Sequence, residues 1–289
     1  MYTPYFVDLL FGLHYNVIMQ SINARAKINF ALNVVGREEK MHLLDGLYAT
    51  CRLCDKITLS ARSDKEVTVR YVGRDGMYEK DSAYFAAKLL QKEYGTPGVD
   101  IVIEKDIAEL RGLGGSSADA AGVSVAFSRE FGLGKIDEKL LLKMGSDVPF
   151  QYEGGYAEVS GKGEKITKVA LPKMHVVLLC PPEGVSTAEC FSLYDRVGGE
   201  NGDIGMLIES LKNKRTPVFF NALERAATKL VPGIGDCRKI LENAGFDCGM
   251  TGSGSAMFGI EYEERDFRKK MKKVIVPAGY TLTETVTEG

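Results

Sequence analysis

Apolar and polar residues alternate along residues 24–34, which predicts a half-buried β-strand. The even positions from Ala24 to Val34 are apolar, whereas the odd positions include Lys27 and Asn29. Side chains two positions apart on a strand share one face and lie about 7 Å apart, so Lys27 and Asn29 are expected side by side. Contact with solvent is the commoner arrangement for such a polar face, and a functional pair is the alternative.

The remaining hydrophobic pattern alternates between strand and helix. Period-two runs predict strands over 55–61, 66–72, 99–104, 175–180 and 279–286, and a hairpin over 156–167. Helical spacing predicts helices over 82–94, 136–144, 204–211, 221–230, 236–244 and 263–273, and the capping box Ser186-Thr-Ala-Glu189 opens another. This mixture predicts an α+β layer sandwich with a domain boundary near Pro172, between residues 19–171 and 172–289.

The first 18 residues do not fit this pattern. They are aromatic and apolar, contain Asp8 and have no basic start, which suits neither a membrane span nor a signal peptide. We expect residues 1–18 to be an upstream extension, with the native start at Met19. A short accessory helix is the alternative.

Composition and charge favour a soluble protein that acts on small molecules. The chain has 289 residues, is 45% hydrophobic and 26% charged, and has a net charge of −2. This charge gives no general electrostatic reason to bind nucleic acid or a membrane, so neither is expected as a partner. Six scattered cysteines favour reduced thiols and a cytoplasmic location. The pair Cys51 and Cys54 is interpreted as packing, because strand positions three apart face opposite sides.

A glycine- and serine-rich stretch, Arg111-Gly-Leu-Gly-Gly-Ser-Ser117, leads into an alanine-rich helical run that stops at Gly132. Glycines allow positive φ and close approach of a ligand, and a helix start offers unpaired N–H groups. A phosphate group is therefore the expected ligand. The stretch fits neither the Walker motif nor the dinucleotide fingerprint, because no Gly-Lys-Ser/Thr follows and Ser117 replaces the last glycine. A tight loop before a closely packed helix is the alternative.

Three further features are ambiguous by themselves. A second glycine-serine turn, Met250-Thr-Gly-Ser-Gly-Ser255, precedes an apolar strand. Asp147 lies between a helix end and a proline, where an aspartate is ordinarily a turn former or a cap. His42 follows a charged turn, and metal binding is not expected there because the only other histidines are His14 and His175.

Taken together, three separated segments resemble the motifs of the GHMP kinases, the superfamily of galactokinase, homoserine kinase and mevalonate kinase. They are Ala26-Lys-Ile-Asn29, the loop Gly112-Leu-Gly-Gly-Ser-Ser117, and Met250-Thr-Gly-Ser-Gly-Ser255. Further details are most similar to the superfamily members that act on a cytidine-diphosphate derivative of methylerythritol. These are Gly36-Arg37 with His42-Leu-Leu44, Gly145-Ser-Asp-Val-Pro149, and Gly184-Val-Ser-Thr-Ala-Glu-Cys-Phe191. The similarity extends from Ser21 to the last strand.

The resemblance implies a two-domain kinase. Residues 19–171 would form an ATP-binding domain like domain 2 of ribosomal protein S5, and residues 172–289 a ferredoxin-like domain. The implied reaction transfers phosphate from ATP, which carries Mg²⁺, to the 2-hydroxyl of 4-diphosphocytidyl-2-C-methyl-D-erythritol in the non-mevalonate isoprenoid pathway. The protein would be a monomer or homodimer, and direct metal ligands are unassigned. A mevalonate- or homoserine-type kinase and a catalytically silent ligand sensor of the same fold are the alternatives.

The resemblance also implies residue roles. Asp147 would be the base and Lys27 would assist it. The ATP phosphates would be cradled by Leu110, Arg111, Gly112, Leu113, Gly114, Gly115, Ser116 and Ser117. The substrate would contact Asn29, His42, Thr187, Phe191, Gly252 and Ser253, with His42 and Phe191 at the cytosine. Met41 replaces the tyrosine that usually precedes this histidine.

Overall fold

The computed structural model describes residues 20–39, 41–74, 76 and 81–289, and the predicted extension 1–18 lies outside them. The strands are β1 (Gln20–Glu38), β2 (Met41–Ala61), β3 (Val67–Tyr71), β4 (Val99–Glu104), β5 (Tyr156–Gly161), β6 (Lys165–Lys168), β7 (His175–Cys180), β8 (Phe220–Asn221), β9 (Asp247–Met250), β10 (Met257–Glu261) and β11 (Thr281–Glu288). The helices are α1 (Ser82–Tyr94), α2 (Gly115–Phe131), α3 (Glu138–Met144), α4 (Val148–Glu153), α5 (Thr187–Val197), α6 (Ile204–Lys212), α7 (Glu224–Leu230), α8 (Gly233–Ala244) and α9 (Glu264–Met271). The α+β class predicted from the sequence is confirmed.

The sheet is organised around β2. This strand pairs antiparallel with β1, β4, β5 and β11, and the central strand order is β3-β4-β2-β11-β7-β10-β9. The last strand joins the two halves of the chain, since Thr287 of β11 pairs with Cys51 while Thr283 of the same strand pairs with Leu178. The boundary near Pro172 stays a prediction, and backbone hydrogen bonds cross between its two sides.

Helix α2 packs closely on the sheet because its residues are small. A Cβ at Gly122 would lie 2.6 Å from the Ile57 side chain and 2.8 Å from the Ala24 side chain, and both distances are shorter than a Cβ allows. Ala118, Ala120 and Ala121 on the same helix are buried. The small residues therefore bring the helix start down to the level of β1, where Lys27 lies.

Several predicted elements have the same bounds in the structure, and others are corrected. The strands 99–104 and 175–180 and the helix 82–94 are confirmed. The predicted strand 55–61 is only the end of the 21-residue strand β2. The predicted helix 221–230 begins at Glu224, after a short strand. Helix α4 has six residues and was missed, because a run of that length is too short for helical periodicity.

No helix in the described part of the chain is long and apolar enough to cross a membrane.

Candidate functional site

Lys27 and Asp147 form the centre of the candidate site. The ammonium group of Lys27 donates to the Asn29 side-chain oxygen at 2.6 Å and lies 3.4 Å from a carboxylate oxygen of Asp147. Lys27 is 5% exposed and Asn29 is 1% exposed, so the expected solvent-facing polar strand face is wrong. That expectation considered one strand alone, whereas Leu113, Gly114 and Gln151 from the glycine loop and α4 approach this face.

Asp147 does not serve as a helix cap. It occupies the position before α4, but its side chain makes no capping hydrogen bond. Its carboxylate remains partly exposed and faces Lys27 instead. The turn-former or cap interpretation is therefore insufficient, and the arrangement leaves a carboxylate next to a buried ammonium group at the edge of an accessible site.

Tyr48 completes the wall of this site and was not predicted. It pairs with Asn29 across the β1–β2 ribbon, and the Lys27 ammonium group lies 5.6 Å from its ring centroid. Burial, together with the nearby Asp147 carboxylate, raises the pKa of Tyr48 well above its ordinary value, so its hydroxyl stays protonated. The Asn29 side chain interacts with the Tyr48 hydroxyl, which opposes this rise in pKa, and its buried amide nitrogen has no other partner among the described residues.

The two glycine-rich turns touch each other. Gly112 and Gly252 both have positive φ, at 72° and 57°, and a Cβ at Gly252 would lie 2.5 Å from the Gly112 carbonyl oxygen. The hydroxyl of Thr251 accepts from the Asn29 backbone N–H at 3.0 Å and donates to the Gly112 carbonyl at 3.3 Å. The second turn therefore holds the first one against β1.

The first turn opens α2 in the geometry of an anion cradle. Gly114 occupies the N-cap position with φ 70°, and no side chain caps the helix, so the first N–H groups have no side-chain acceptor. A Cβ at Gly114 would lie 3.0 Å from the Lys27 side chain and 2.9 Å from the Gln151 side-chain oxygen. Only glycine allows this approach, which places the helix start beside the Lys27–Asp147 pair.

The side chains of Leu110 and Arg111, at the start of the loop, lie outside the anion cradle. Leu110 has φ 57° and is 60% exposed. The guanidinium of Arg111 donates to the Ser255 hydroxyl at 2.7 Å and to the backbone carbonyls of Pro182 and Glu183. Arg111 thus ties the first turn to the second, and the cradle consists mainly of backbone.

The second turn is supported by a residue that sequence reasoning missed. Asn221 is buried, and its amide nitrogen donates to the carbonyls of Met250 at 3.0 Å and Gly252 at 2.8 Å. The hydroxyls of Thr187 and Ser253, both predicted to contact substrate, are 2.9 Å apart. The structure therefore brings the start of α5 to the second turn.

His42 belongs to a separate cluster farther along the β1–β2 ribbon. Its ring stacks on Phe191 with centroids 4.6 Å apart and an angle of 22° between the planes. Asp195, which was not predicted, lies 2.6 Å from the His42 Nε2 atom and accepts from Arg37 at 3.0 Å. The four-residue spacing of Phe191 and Asp195 on one helix face was the available signal. Met41 is 45% exposed beside this cluster.

A buried ion cluster lies beneath the glycine loop. The Lys105 ammonium group donates to Asp55 at 2.5 Å and to Asp119 of α2 at 2.7 Å. Asp55 also accepts from the backbone N–H groups of Asp106 and Ile107. The second oxygen of Asp119 is buried without a partner, and burial raises the pKa of Asp119 to about 7 despite the neighbouring Lys105. One ammonium group therefore forms ion pairs with two carboxylates.

This cluster predicts a pH-dependent loss of stability. Because the pKa of Asp119 is raised from an ordinary 3.8 to about 7, the folded chain holds a proton that the unfolded chain has released in that interval. The contribution of Asp119 to stability is present below pH 4 and is lost as the pH rises through 7. Between pH ~5 and ~8 the parent protein should therefore lose about 2 to 3 kcal/mol of its free energy of unfolding. Asp119→Asn cannot ionise at this position and should not show this loss. Urea unfolding at both pH values measures this, and a constant difference would contradict it.

The contact between the two turns predicts a large effect of one methyl group. In Gly112→Ala, the new Cβ would clash with the carbonyl oxygen of Thr251 at a backbone that already has positive φ. For the ATP-dependent reaction that the resemblance implies, we expect kcat/KM for the nucleotide to fall at least about tenfold, which equals ~1.4 kcal/mol of transition-state stabilisation. Gly132→Ala is the matched control, because Gly132 has φ 64° but open space around it. Equal activity of the two variants would contradict the role of the contact.

Comparisons with known proteins identify the family of this chain. Two family models match, "GHMP kinases N terminal domain" over residues 81–160 and "GHMP kinases C terminal" over residues 200–274. A 4-diphosphocytidyl-2-C-methyl-D-erythritol kinase of Polaromonas naphthalenivorans is 33% identical over 262 residues, covering 86% of this chain and 88% of the relative. The kinase of the same name from Clostridium beijerinckii is 36% identical, covering 83% of this chain and 90% of the relative.

Solved structures also match this chain. A crystal structure of 4-(cytidine 5'-diphospho)-2C-methyl-D-erythritol kinase matches with a TM-score of 0.79 at 30% identity, covering 93% of this chain and all of that one. Homoserine kinase from Cytophaga hutchinsonii matches with a TM-score of 0.69 at 18% identity, covering 96% of this chain and 97% of that one, which shows the fold alone.

The fold and the paired glycine turns define a GHMP kinase, an ATP-dependent small-molecule phosphotransferase. Within that superfamily, the chain belongs to the 4-diphosphocytidyl-2-C-methyl-D-erythritol kinases. The predicted resemblance and the predicted GHMP kinase fold are thereby confirmed.

Proposed function

We propose that the protein transfers the γ-phosphoryl group of ATP to the 2-hydroxyl of 4-diphosphocytidyl-2-C-methyl-D-erythritol. The observation that carries this proposal is the Lys27–Asp147 pair, 3.4 Å apart, beside the uncapped start of α2. The names of the relatives supply the substrate, and their similarity extends over most of both chains. The reaction would be a step in isoprenoid precursor synthesis.

Asp147 and Lys27 have different roles at the acceptor hydroxyl. A carboxylate is far too weak a base to remove an alcohol proton in the ground state, so Asp147 accepts the proton late, as the new oxygen–phosphorus bond forms. The Lys27 ammonium group stabilises the negative charge that develops nearby. Because a phosphoryl-transfer transition state is loose, alignment and charge neutralisation supply most of the rate enhancement. The hydrogen bond from Lys27 to Asn29 keeps the ammonium group in place.

The loop of residues 110–117 fits the triphosphate of ATP. Its positive-φ glycines and the uncapped N–H groups of α2 suit an anion, and the backbone rather than the Arg111 side chain would make the contacts. Mg²⁺ bound to ATP would neutralise phosphate charge. Among the described residues, no group of three or more His, Cys, Asp or Glu side chains is placed to hold a metal ion, so we propose that the ion enters with the nucleotide.

The His42–Phe191 cluster would receive the cytosine. One face of Phe191 is covered by the His42 ring, so the base would stack on the other face. Met41, exposed next to His42, would contribute a flexible thioether where the family usually has a ring. Thr187, Gly252, Ser253 and Asn29 would line the pocket between the two clusters. Two separated clusters suit a substrate with a nucleobase at one end and an alcohol at the other.

We further propose a cytoplasmic enzyme, monomeric or homodimeric, with domains at residues 19–171 and 172–289 and no nucleic-acid or membrane partner. The six cysteines are free thiols, five of them buried, which suits a reducing compartment.

The position of the new phosphate tests the proposal. The carbon that carries the 2-hydroxyl has no hydrogen, so phosphate on that oxygen should give a ³¹P signal without three-bond coupling to a proton. Phosphate on a primary or secondary hydroxyl would be split by protons on its own carbon. Purified protein incubated with ATP, Mg²⁺ and the cytidyl substrate should yield the unsplit phosphomonoester signal. A split signal would contradict the assigned position.

A further inference from the structure

We infer that Gln151 is a positioning residue that sets the distance between Lys27 and Asp147. Its side chain links α4, which begins directly after Asp147, to the part of β1 that carries Lys27. This inference rests on the proposed function, because it assigns Gln151 a role in presenting the proposed base to the acceptor hydroxyl.

The β1–β2 ladder is irregular next to Lys27. Between Arg25 and Lys27 the pairing shifts, so that two steps along β1 correspond to four steps along β2. Backbone groups at such an irregularity need partners from outside the ladder. The Lys27 N–H donates to the Leu113 carbonyl of the glycine loop at 3.0 Å, and the Arg25 carbonyl accepts from the Gln151 side-chain amide at 2.9 Å. The place of Lys27 therefore depends on the glycine loop and on α4.

Gln151 is also attached closely to Asp147, one helical turn earlier. The backbone N–H of Gln151 donates to the Asp147 carbonyl at 3.0 Å. The end of α4 is held separately by Thr50, whose backbone N–H donates to the Gly155 carbonyl and whose hydroxyl accepts from the Gly155 N–H, both at 2.9 Å. Without Gln151, α4 would be free to turn about this anchor and to move Asp147 relative to β1. The hydrogen bond from Gln151 to Arg25 is a second anchor, nearer to Asp147.

The separation of Lys27 and Asp147 indicates that the backbone sets it. A hydrogen bond between an ammonium group and a carboxylate is normally about 2.7–2.9 Å long. The Lys27 ammonium group and the Asp147 carboxylate are 3.4 Å apart, although their charges attract. The segments that carry the two residues therefore hold them apart, and Gln151 joins those segments. A carboxylate that the ammonium group does not fully engage keeps a lone pair free for the proton of the acceptor hydroxyl.

Burial alone does not explain a glutamine at this position. Gln151 is 9% exposed, and its side-chain oxygen is buried without a hydrogen-bond partner among the described residues. A buried acceptor without a partner destabilises a fold, and an apolar side chain of the same length would avoid that cost. The amide is therefore explained by its N–H group, which donates to Arg25.

Gln151→Met tests the assignment, because it keeps the length of the side chain and removes the donor. Since a misplacement of about 1 Å in an active site can lower a rate ~100-fold, we expect kcat with the cytidyl substrate to fall at least about tenfold and KM for ATP to stay nearly unchanged. Tm should change by only a few degrees, because the variant loses one hydrogen bond but also the unpaired oxygen. Gln151→Leu lacks the same donor and should show the same loss. Tyr152→Phe is the matched control, because it removes a different hydrogen bond of α4, from the Ile136 N–H, and should keep the parent rate.

A double-mutant cycle separates positioning from a merely structural role. If Gln151 acts by placing Asp147, adding Gln151→Met to Asp147→Asn should lower kcat by less than about twofold more. A further tenfold loss in that background, or the parent kcat in folded Gln151→Met, would overturn the inference. Failure of both Gln151 variants to fold would show a structural role and would also overturn it.

A crystal structure of Gln151→Met keeps this inference separate from the proposed function. The distance between the Lys27 ammonium group and the Asp147 carboxylate should differ from the parent value by more than about 0.5 Å, the tolerance of a productive site. An unchanged distance would overturn the positioning role. Absence of turnover of the cytidyl substrate by the parent protein would refute the proposed function instead, and the crystal structure would still decide whether Gln151 sets the distance.

Discussion

Asp147→Asn should lower kcat by about 10²–10⁴-fold and leave KM for ATP nearly unchanged. The substitution keeps the size and shape of the side chain but removes the group that accepts the proton of the attacking hydroxyl. Asp147 makes no capping hydrogen bond, and in the variant the Lys27 ammonium group keeps its hydrogen bond to Asn29, so the fold should be retained. Steady-state kinetics with varied ATP and varied acceptor measure both constants.

Glu153→Gln is the matched control for this variant. Glu153 ends the same short helix and pairs with Lys135 at the surface, 2.6 Å away. A surface pair of this kind contributes little to stability, so the control should keep full activity. An unchanged rate in Asp147→Asn would mean that another group accepts the proton and that the assigned base is wrong.

Lys27→Met should have the second largest effect, a loss of about 10²–10³-fold in kcat. The variant fills nearly the same volume but removes the positive charge that faces the developing negative charge at the acceptor oxygen. It also leaves the Asn29 side-chain oxygen without its 2.6 Å donor. Lys27→Arg should not restore the rate, since a planar guanidinium cannot occupy the space of a compact ammonium group beside Gly114.

Thermal unfolding distinguishes lost chemistry from lost structure in Lys27→Met. Removing one partner of an ion pair destabilises a fold when the other partner is left buried, but Asp147 is partly exposed and can be hydrated, so Tm should fall by only a few degrees. Lys56→Met, at an exposed ion pair on β2, is the control and should keep its activity. A Lys27→Met enzyme with the parent rate would show that this ammonium group does not act in the reaction.

The sequence was most informative where a motif is local. The start of α2 at the glycine loop and the pairing of Lys27 with Asn29 follow from residue order, because glycine conformations and strand faces depend on near neighbours. The burial of that strand face did not follow, since it depends on α4 and the glycine loop, which are distant in sequence. Local pattern alone favoured the solvent-facing alternative.

The missed site residues share a physical cause. Tyr48 reaches the site because it is opposite Asn29 in the register of β1 and β2, and that register includes bulges that a sequence pattern does not reveal. Asp195 matters because α5 crosses the end of the same ribbon. Asn221 supports the second turn from a two-residue strand. Each depends on a tertiary contact between segments whose own patterns are unremarkable.

The most direct test of the central claim is ADP release by the purified protein with ATP and Mg²⁺. The acceptors to compare are 4-diphosphocytidyl-2-C-methyl-D-erythritol, mevalonate, homoserine and galactose. Turnover with the cytidyl compound alone is predicted, and it would show that Met41 is compatible with recognition of the base. Turnover with mevalonate or homoserine instead, or ATP binding without turnover of any acceptor, would contradict the assignment and favour another kinase of this fold or a ligand sensor.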